Sequence, residues 1–287
     1  MKNLFKSAIT AIVILFSSAT QSQTKSPKLE NSLLWEVSGN GLEKPSYLYG
    51  TIHSICAADY FLSEKTKKAF DQSEKFILEI NFSDPIEMAD AQKMSMSSEP
   101  LSKKLTPEEL TRLDSVLQKT TGLKIQQLDN FSLAAVTSVI GMKAFGCESL
   151  KSYESDFMDL AKKENKNIEG LETVKGQMTM LANAYTDSEL INMLGDLSEK
   201  ETSKMVEDYK AENLMNLYSD VADEKVMSAK AKKWVLDDRN KDWAKKIPEM
   251  MKKESLFVAV GVGHLAGESG VINLLRKSGY TVKSVMN

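Results

Sequence analysis

SYLYGTIHSIC, residues 46–56, holds a glycine followed three residues later by a histidine, at the end of an apolar run. The 287-residue chain has one other histidine, and it again stands three residues after a glycine, in SLFVAVGVGH, residues 255–264. Both runs read as short buried strands that end near the glycine. Glycine at a strand exit lets the chain turn sharply and lets a ligand approach the backbone. A side chain just past that exit faces the crevice in which α/β proteins bind ligands. An imidazole placed there can act as a metal ligand or a general base. A lone GxxH is a weak signal, but two that use every histidine in the chain point to one site built from His53 and His264. The plain alternative is a pair of structural histidines, buried and hydrogen-bonded at strand ends.

Outward from these motifs, LLWEVSG (33–39) and SYLYG read as strands joined by the turn GNGLEKPS. KTKKAFDQ (65–72) reads as an amphipathic helix. KFILEINF (75–82) reads as a strand with Phe76, Leu78 and Ile80 on one face and Ile77 and Glu79 on the other. From about residue 85 to 253 the chain reads mainly helical. Thr106 with Glu109, and Thr186 with Glu189, have capping-box spacing. FSLAAVTSVIGMKAF (131–145) is apolar nearly all round and predicts a buried helix, while the charged segments after Thr186 predict a solvated outer layer. KNIEGLET (166–173) interrupts the helices as a strand. At the end, ESGVINLLRKSG predicts a helix closed by Gly279, and YTVKSV a last strand. The expected fold class is α+β, with α/β-like character. A central sheet is built from both chain ends around a long, mainly helical middle.

Lys2 and Lys6 precede an apolar stretch from Ala8 to Phe16, and small residues follow, with Ser17 and Ala19 spaced for cleavage. That is the layout of a signal peptide over residues 1–22, too short to span a bilayer. Residues 23–287 are expected to form the mature domain, with its helical insertion at about 85–253 and no transmembrane segment. Its expected location is periplasmic or secreted. A net charge of -3 gives no electrostatic case for nucleic acid as a partner. In an oxidising compartment Cys56 and Cys147 are candidates for a disulfide, and two buried thiols are the alternative.

A third partner for the histidines is expected among the carboxylates. Glu79 lies inside a short apolar strand, where a carboxylate is rare unless it is paired or liganding; the alternative is an edge-strand residue facing water. Glu172, directly after the 166–173 strand, is the second candidate, and also reads as the first turn of the next helix. Arg239 and Asn240, in DDRNKDW, offer a fixed charge and an amide. Arg239 could orient a carboxylate or meet developing negative charge, but on the residues alone the preferred reading is a solvated helix charge.

With these residues in place the chain resembles the TraB/GumN family, which is similar to the Tiki metalloproteases and, more distantly, to erythromycin esterases and ChaN-like haem-binding proteins. The resemblance is carried by LLWEVSGNGLEKPSYLYGTIHSI, the LEI strand with Glu79, GCES with Glu148, GLET with Glu172, the Arg239–Asn240 pair and VGVGHLAGESGVINLLRKSGY. It implies a central sheet with a helical middle and both histidines facing one cleft. It further implies a metal-dependent peptidase using manganese or cobalt, zinc being a further option. His53 and His264 would be ligands, Glu79 a ligand or base, and Glu148, Glu172 and Arg239 cleft residues. The Tiki proteins are anchored in animal membranes, so their substrate does not carry over. The function expected is an exported metal-dependent hydrolase acting on a peptide or protein. A metal-free, esterase-like hydrolase and a peptide- or haem-binding protein without turnover are the alternatives.

Overall fold

The computed structural model describes residues 29–196 and 198–286; the expected signal segment lies outside them. Among the described residues eight strands occur in chain order: β1 (Leu34–Ser38), β2 (Ser46–Thr51), β3 (Ile55–Cys56), β4 (Lys75–Ile80), β5 (Leu150–Lys151), β6 (Asn167–Glu172), β7 (Leu256–Gly261) and β8 (Thr281–Ser284). Six form one mixed sheet in the order β6-β4-β7-β2-β1-β8, and β3 pairs with β5 apart from it. β6, β4, β7 and β2 are parallel, and β1 runs antiparallel to both β2 and β8. Strands from the two chain ends thus lie side by side, with most helices between β4 and β7 in sequence.

The inner strands are buried on both faces, as parallel strands covered by helices must be. Every residue of β2 is buried, as are all of β7 except Gly261. Phe76, Leu78 and Ile80 are buried, and so is Ile77 on the opposite face. Burying each such side chain stabilises the fold by roughly 1.5–3 kcal/mol. These strands therefore anchor whatever is attached to their ends.

The helical middle has a core of its own. Leu113 and Leu117 of the Pro107–Thr121 helix pack with Val136 and Ile140 of the Leu133–Lys143 helix and with Ile191 of the Asp187–Asp196 helix. The Leu133–Lys143 helix is buried along one stripe only, not all round: Leu133, Val136 and Ile140 face inward, while Met142 is exposed. Its outer face has no neighbouring layer, so apolar composition alone misreads its burial. The capping boxes at Thr106 and Thr186 form as the spacing predicts. Among the described residues no helix is long and apolar enough to cross a membrane.

Candidate functional site

Register builds the site. Thr51 of β2 lies opposite Gly261 of β7, so both GxxH turns leave the sheet side by side at its carboxyl edge. β4 is the other neighbour of β7 and brings Glu79 to the same edge; β6 follows, with Glu172 paired to Ile80. Four adjacent parallel strands thus deliver two histidines and two carboxylates to one crevice, the place where such sheets bind ligands.

The two motif glycines do different work. A side chain at Gly50 would strike Val262 and Leu265, with a Cβ only 2.9 Å from Leu265 Cδ1 and 3.2 Å from Val262 Cα. Gly50 is therefore the surface on which the second motif's turn, Val262–His264, rests. A Cβ at Gly261 would stand inside the site, 3.2 Å from Glu79 Oε1, 3.6 Å from His264 Cδ2 and 3.7 Å from His53 Nε2. Its absence leaves the space on which these three groups converge.

His264 is 6% exposed and held at both ring nitrogens. Arg239 Nη1 donates to its Nε2 at 2.9 Å, and Asn240 Oδ1 lies 2.6 Å from its Nδ1. Guanidinium can only donate, so Nε2 must accept and the ring proton sits on Nδ1. Burial, set against the attraction of Glu79, pushes the His264 pKa down to about 3, so the ring is neutral at neutral pH.

His53 is arranged differently. Its side chain is 76% exposed, and Nδ1 lies 3.3 Å from Glu154 Oε1. A carboxylate only accepts, so Nδ1 carries a proton and Nε2 is left facing the space beside Gly261. Glu154 is itself fixed, by Thr51 Oγ1 at 2.6 Å and Ser152 Oγ at 2.8 Å. Its carboxylate raises the His53 pKa above the ordinary imidazole range, and water around the open ring tempers the rise.

Glu79 is the common neighbour. Oε1 accepts the Gly261 N–H at 2.7 Å and lies 4.0 Å from His264 Nε2; Oε2 accepts from Arg239 Nη2 at 2.5 Å and from Gln177 Nε2 at 3.2 Å. Burial opposes its charge, but the surrounding His264, Arg239 and His53 outweigh that and hold the pKa at about 2. At neutral pH, where His264 is uncharged, Arg239 and the Gly261 amide carry this stabilisation. Glu172 takes both its contacts from Arg239 Nε, at 2.8 and 3.1 Å. Arg239 is 9% exposed and is no solvated helix charge. A π-helical turn, Lys233–Asp237, leads directly into the Asp238–Met251 helix and aims Arg239 and Asn240 inward together.

His53, His264, Glu79, Glu172 and Arg239 thus meet in one crevice, joined by Asn240. Glu148 does not join them: it is exposed, next to Cys147. The carboxylate that reaches His53 is Glu154, which sequence reading missed. Its segment, KSYES, reads as an ordinary helix start, and Ser152 indeed caps that helix. Cys56 and Cys147 form a disulfide, their Cα atoms 6.0 Å apart. With the β3–β5 pair it ties the loop of His53 to the segment that carries Glu154.

In donor type and orientation this set suits a divalent ion. Two imidazole Nε2 atoms and one carboxylate oxygen converge, and each Nδ1 is turned to an oxygen that fixes the ring, as is usual for metal-bound histidine. In position His264 Nε2 is engaged by Arg239 and Glu79 Oε1 by the Gly261 amide. Among the described residues no three His, Cys, Asp or Glu side chains stand grouped to hold an ion. The crevice opens beyond Glu172 and Arg239 into a groove of about 640 Å³ along β6, bordered by Leu171, Met180, Trp234 and Lys246.

The sequence aligns with a protein of Danio rerio named Metalloprotease TIKI1, at 23% identity over 91% of this chain and 65% of that protein. The chain therefore spans just under two thirds of that relative's length. No solved structure matches. The TraB/PrgY/gumN family model matches residues 33–284, from the residue before β1 to the end of β8 and so across every strand and every site residue named above; the chain belongs to the TraB/PrgY/gumN family.

Proposed function

We propose that this chain is an exported hydrolase of peptides or proteins, assisted by a divalent metal ion. The observation that carries the reading is the meeting of His53 Nε2, His264 and Glu79 Oε1 around the bare Cα of Gly261. The distant likeness to a protein named a metalloprotease supports the substrate class and the ion. The Cys56–Cys147 bond suits an oxidising compartment and supports export.

His53, His264 and Glu79 would hold the ion. Bound there, it supplies a Lewis acid for the scissile carbonyl and a water whose pKa falls from 15.7 to about 7. The protein's own groups do the rest. Glu154 and Asn240 keep both rings turned with Nε2 inward. Glu79 is ionised at neutral pH, as a carboxylate that is to hold an ion must be. Glu172 is bound at both oxygens by Arg239 and acts through it, as a positioning residue. The groove along β6 offers room for an extended chain leading to the site.

One specific observation favours a second reading, a metal-free hydrolase: Arg239 already satisfies Glu79 Oε2 and His264 Nε2. There, His53 would take a proton from water through its open Nε2, with Glu154 behind it as orienter, the base–orienter geometry of hydrolytic dyads. Cleavage of a peptide mixture before and after exhaustive chelation tests the choice. Loss on chelation and recovery with manganese, cobalt or zinc is expected for the first reading. Undiminished cleavage in chelator would transfer the chemistry to the His53–Glu154 pair.

A further inference from the structure

The guanidinium of Arg239 occupies the middle of the candidate site. Nη2 donates to Glu79 Oε2, Nη1 to His264 Nε2 and to Val235 O, and Nε to both oxygens of Glu172. Its flat face rests on Trp243, the charged carbon 4.7 Å from the ring centre. Arginine does not lose its proton in proteins, so this is a permanent cation. It neutralises two carboxylates that are each only 13% exposed and would otherwise be buried charges in excess. The same hydrogen bonds take up His264 Nε2, one of the donors a divalent ion would need, and the second oxygen of Glu79, whose Oε1 stays on the Gly261 amide. A cation held by His264 Nε2 and Glu79 would lie against the guanidinium, where like charges in a poorly solvated space repel strongly.

We propose that Arg239 is the resident cation of this site and competes with a divalent ion for Glu79 and His264. The inference rests on the metal reading above. In the ion-free protein, Arg239 keeps the crevice neutral enough to fold. For an ion to bind His264 Nε2 and Glu79 Oε1, Nη1 leaves His264, while Nε keeps its hold on Glu172. Ion affinity is then set by a displacement, and Arg239 determines how selective the site is for ions that bind strongly enough to displace it.

The test is ion binding by titration calorimetry, with manganese, cobalt and zinc chloride each added to the full mature chain and to Arg239→Ala, with His53→Ala as the control. Displacement breaks charge-assisted hydrogen bonds in the wild type, so binding to Arg239→Ala should be at least about tenfold tighter. Thermal melts give a second readout. In chelator Arg239→Ala melts lower than the wild type, and added ion raises its melting temperature by more than it raises the wild type's. Should Arg239→Ala fail to fold in chelator, Arg239→Ala/Glu172→Gln removes the carboxylate left unpaired and keeps both ion donors. Equal affinity in the wild type and the variant overturns the competition while leaving the metal reading standing. Weaker binding in the variant overturns it too, since Arg239 would then be a support for the ion. No binding to any of the proteins overturns both.

Discussion

His53 and Glu154 are joined through a ring nitrogen and a carboxylate oxygen 3.3 Å apart, although 101 residues separate them. The contact is closed from both sides. Thr51, two residues before His53, donates to the same oxygen, and the Cys56–Cys147 bond ties the two segments just beyond. A histidine that is largely open to water is thereby kept in one orientation.

That relationship predicts the effect of Glu154→Ala. The ring would lose its orienter, and peptide cleavage should fall by about 10–100-fold, the usual cost of removing a group that orients a working histidine. Stability should fall by only about 1–3 kcal/mol, because Thr51 and Ser152 lose a shared acceptor. Steady-state kinetics beside urea melts separate the two effects. An unchanged rate would show that Glu154 does not act through His53.

The motif glycines make opposite predictions for one substitution. Gly50→Ala places a Cβ 2.9–3.2 Å from Leu265 and Val262 in a packed core and should destabilise by about 1–3 kcal/mol. Gly261→Ala has φ -52 and ψ 132, which any residue adopts, and should fold nearly normally. Its methyl group fills the space among Glu79, His53 and His264, so ion binding and cleavage should be lost. Melting curves and cleavage rates on the two variants check the contrast.

Much of this was legible in the sequence and some was not. The strands around both GxxH motifs could be read from their apolar runs, and Glu79 from the oddity of a carboxylate inside one. The adjacency of β2 and β7 could not, because no local pattern records which strands pair across some 200 residues of chain. Arg239 reads as a surface charge because its burial depends on the π-helical turn before it, which the sequence does not announce. Glu154 looks like any acidic residue in a first helical turn until the disulfide and the β3–β5 pair bring its segment to His53.

Opening the disulfide should loosen that arrangement. Cys56→Ser/Cys147→Ser removes a link across 91 residues and should cost about 2–4 kcal/mol, chiefly by freeing the unfolded chain. Cleavage should fall by more than global unfolding accounts for, since the segments of His53 and Glu154 are then joined by a two-residue strand pair and the Thr51 hydrogen bond without the covalent tie. Rates measured well below the melting temperature, with and without reductant, decide this.

Acid should unfold the ion-free protein in two stages. The unfolded chain protonates His264 near 6.5 and the folded chain only near 3, so its contribution is complete above about pH 6.5 and declines as pH falls toward 3. Glu79 moves from 4.5 to about 2, so its contribution is complete above pH 4.5 and declines toward 2. Stability should therefore drop from pH 6.5 downward, by at most about 1.4 kcal/mol per pH unit for His264 alone. His264→Gln should flatten the limb between pH 6.5 and 4.5. Urea melts across pH 3–8 in chelator measure both limbs.

The most direct measurement is cleavage of a defined peptide mixture, followed by mass spectrometry, for the wild type beside His53→Ala and His264→Ala, each first shown to be folded. If the two histidines and Glu79 form one hydrolytic centre, the wild type cuts, and each variant loses at least about 100-fold of that rate, worth roughly 2.7 kcal/mol of barrier. A His53→Ala protein that cuts as fast as the wild type would contradict a centre built on the two GxxH motifs.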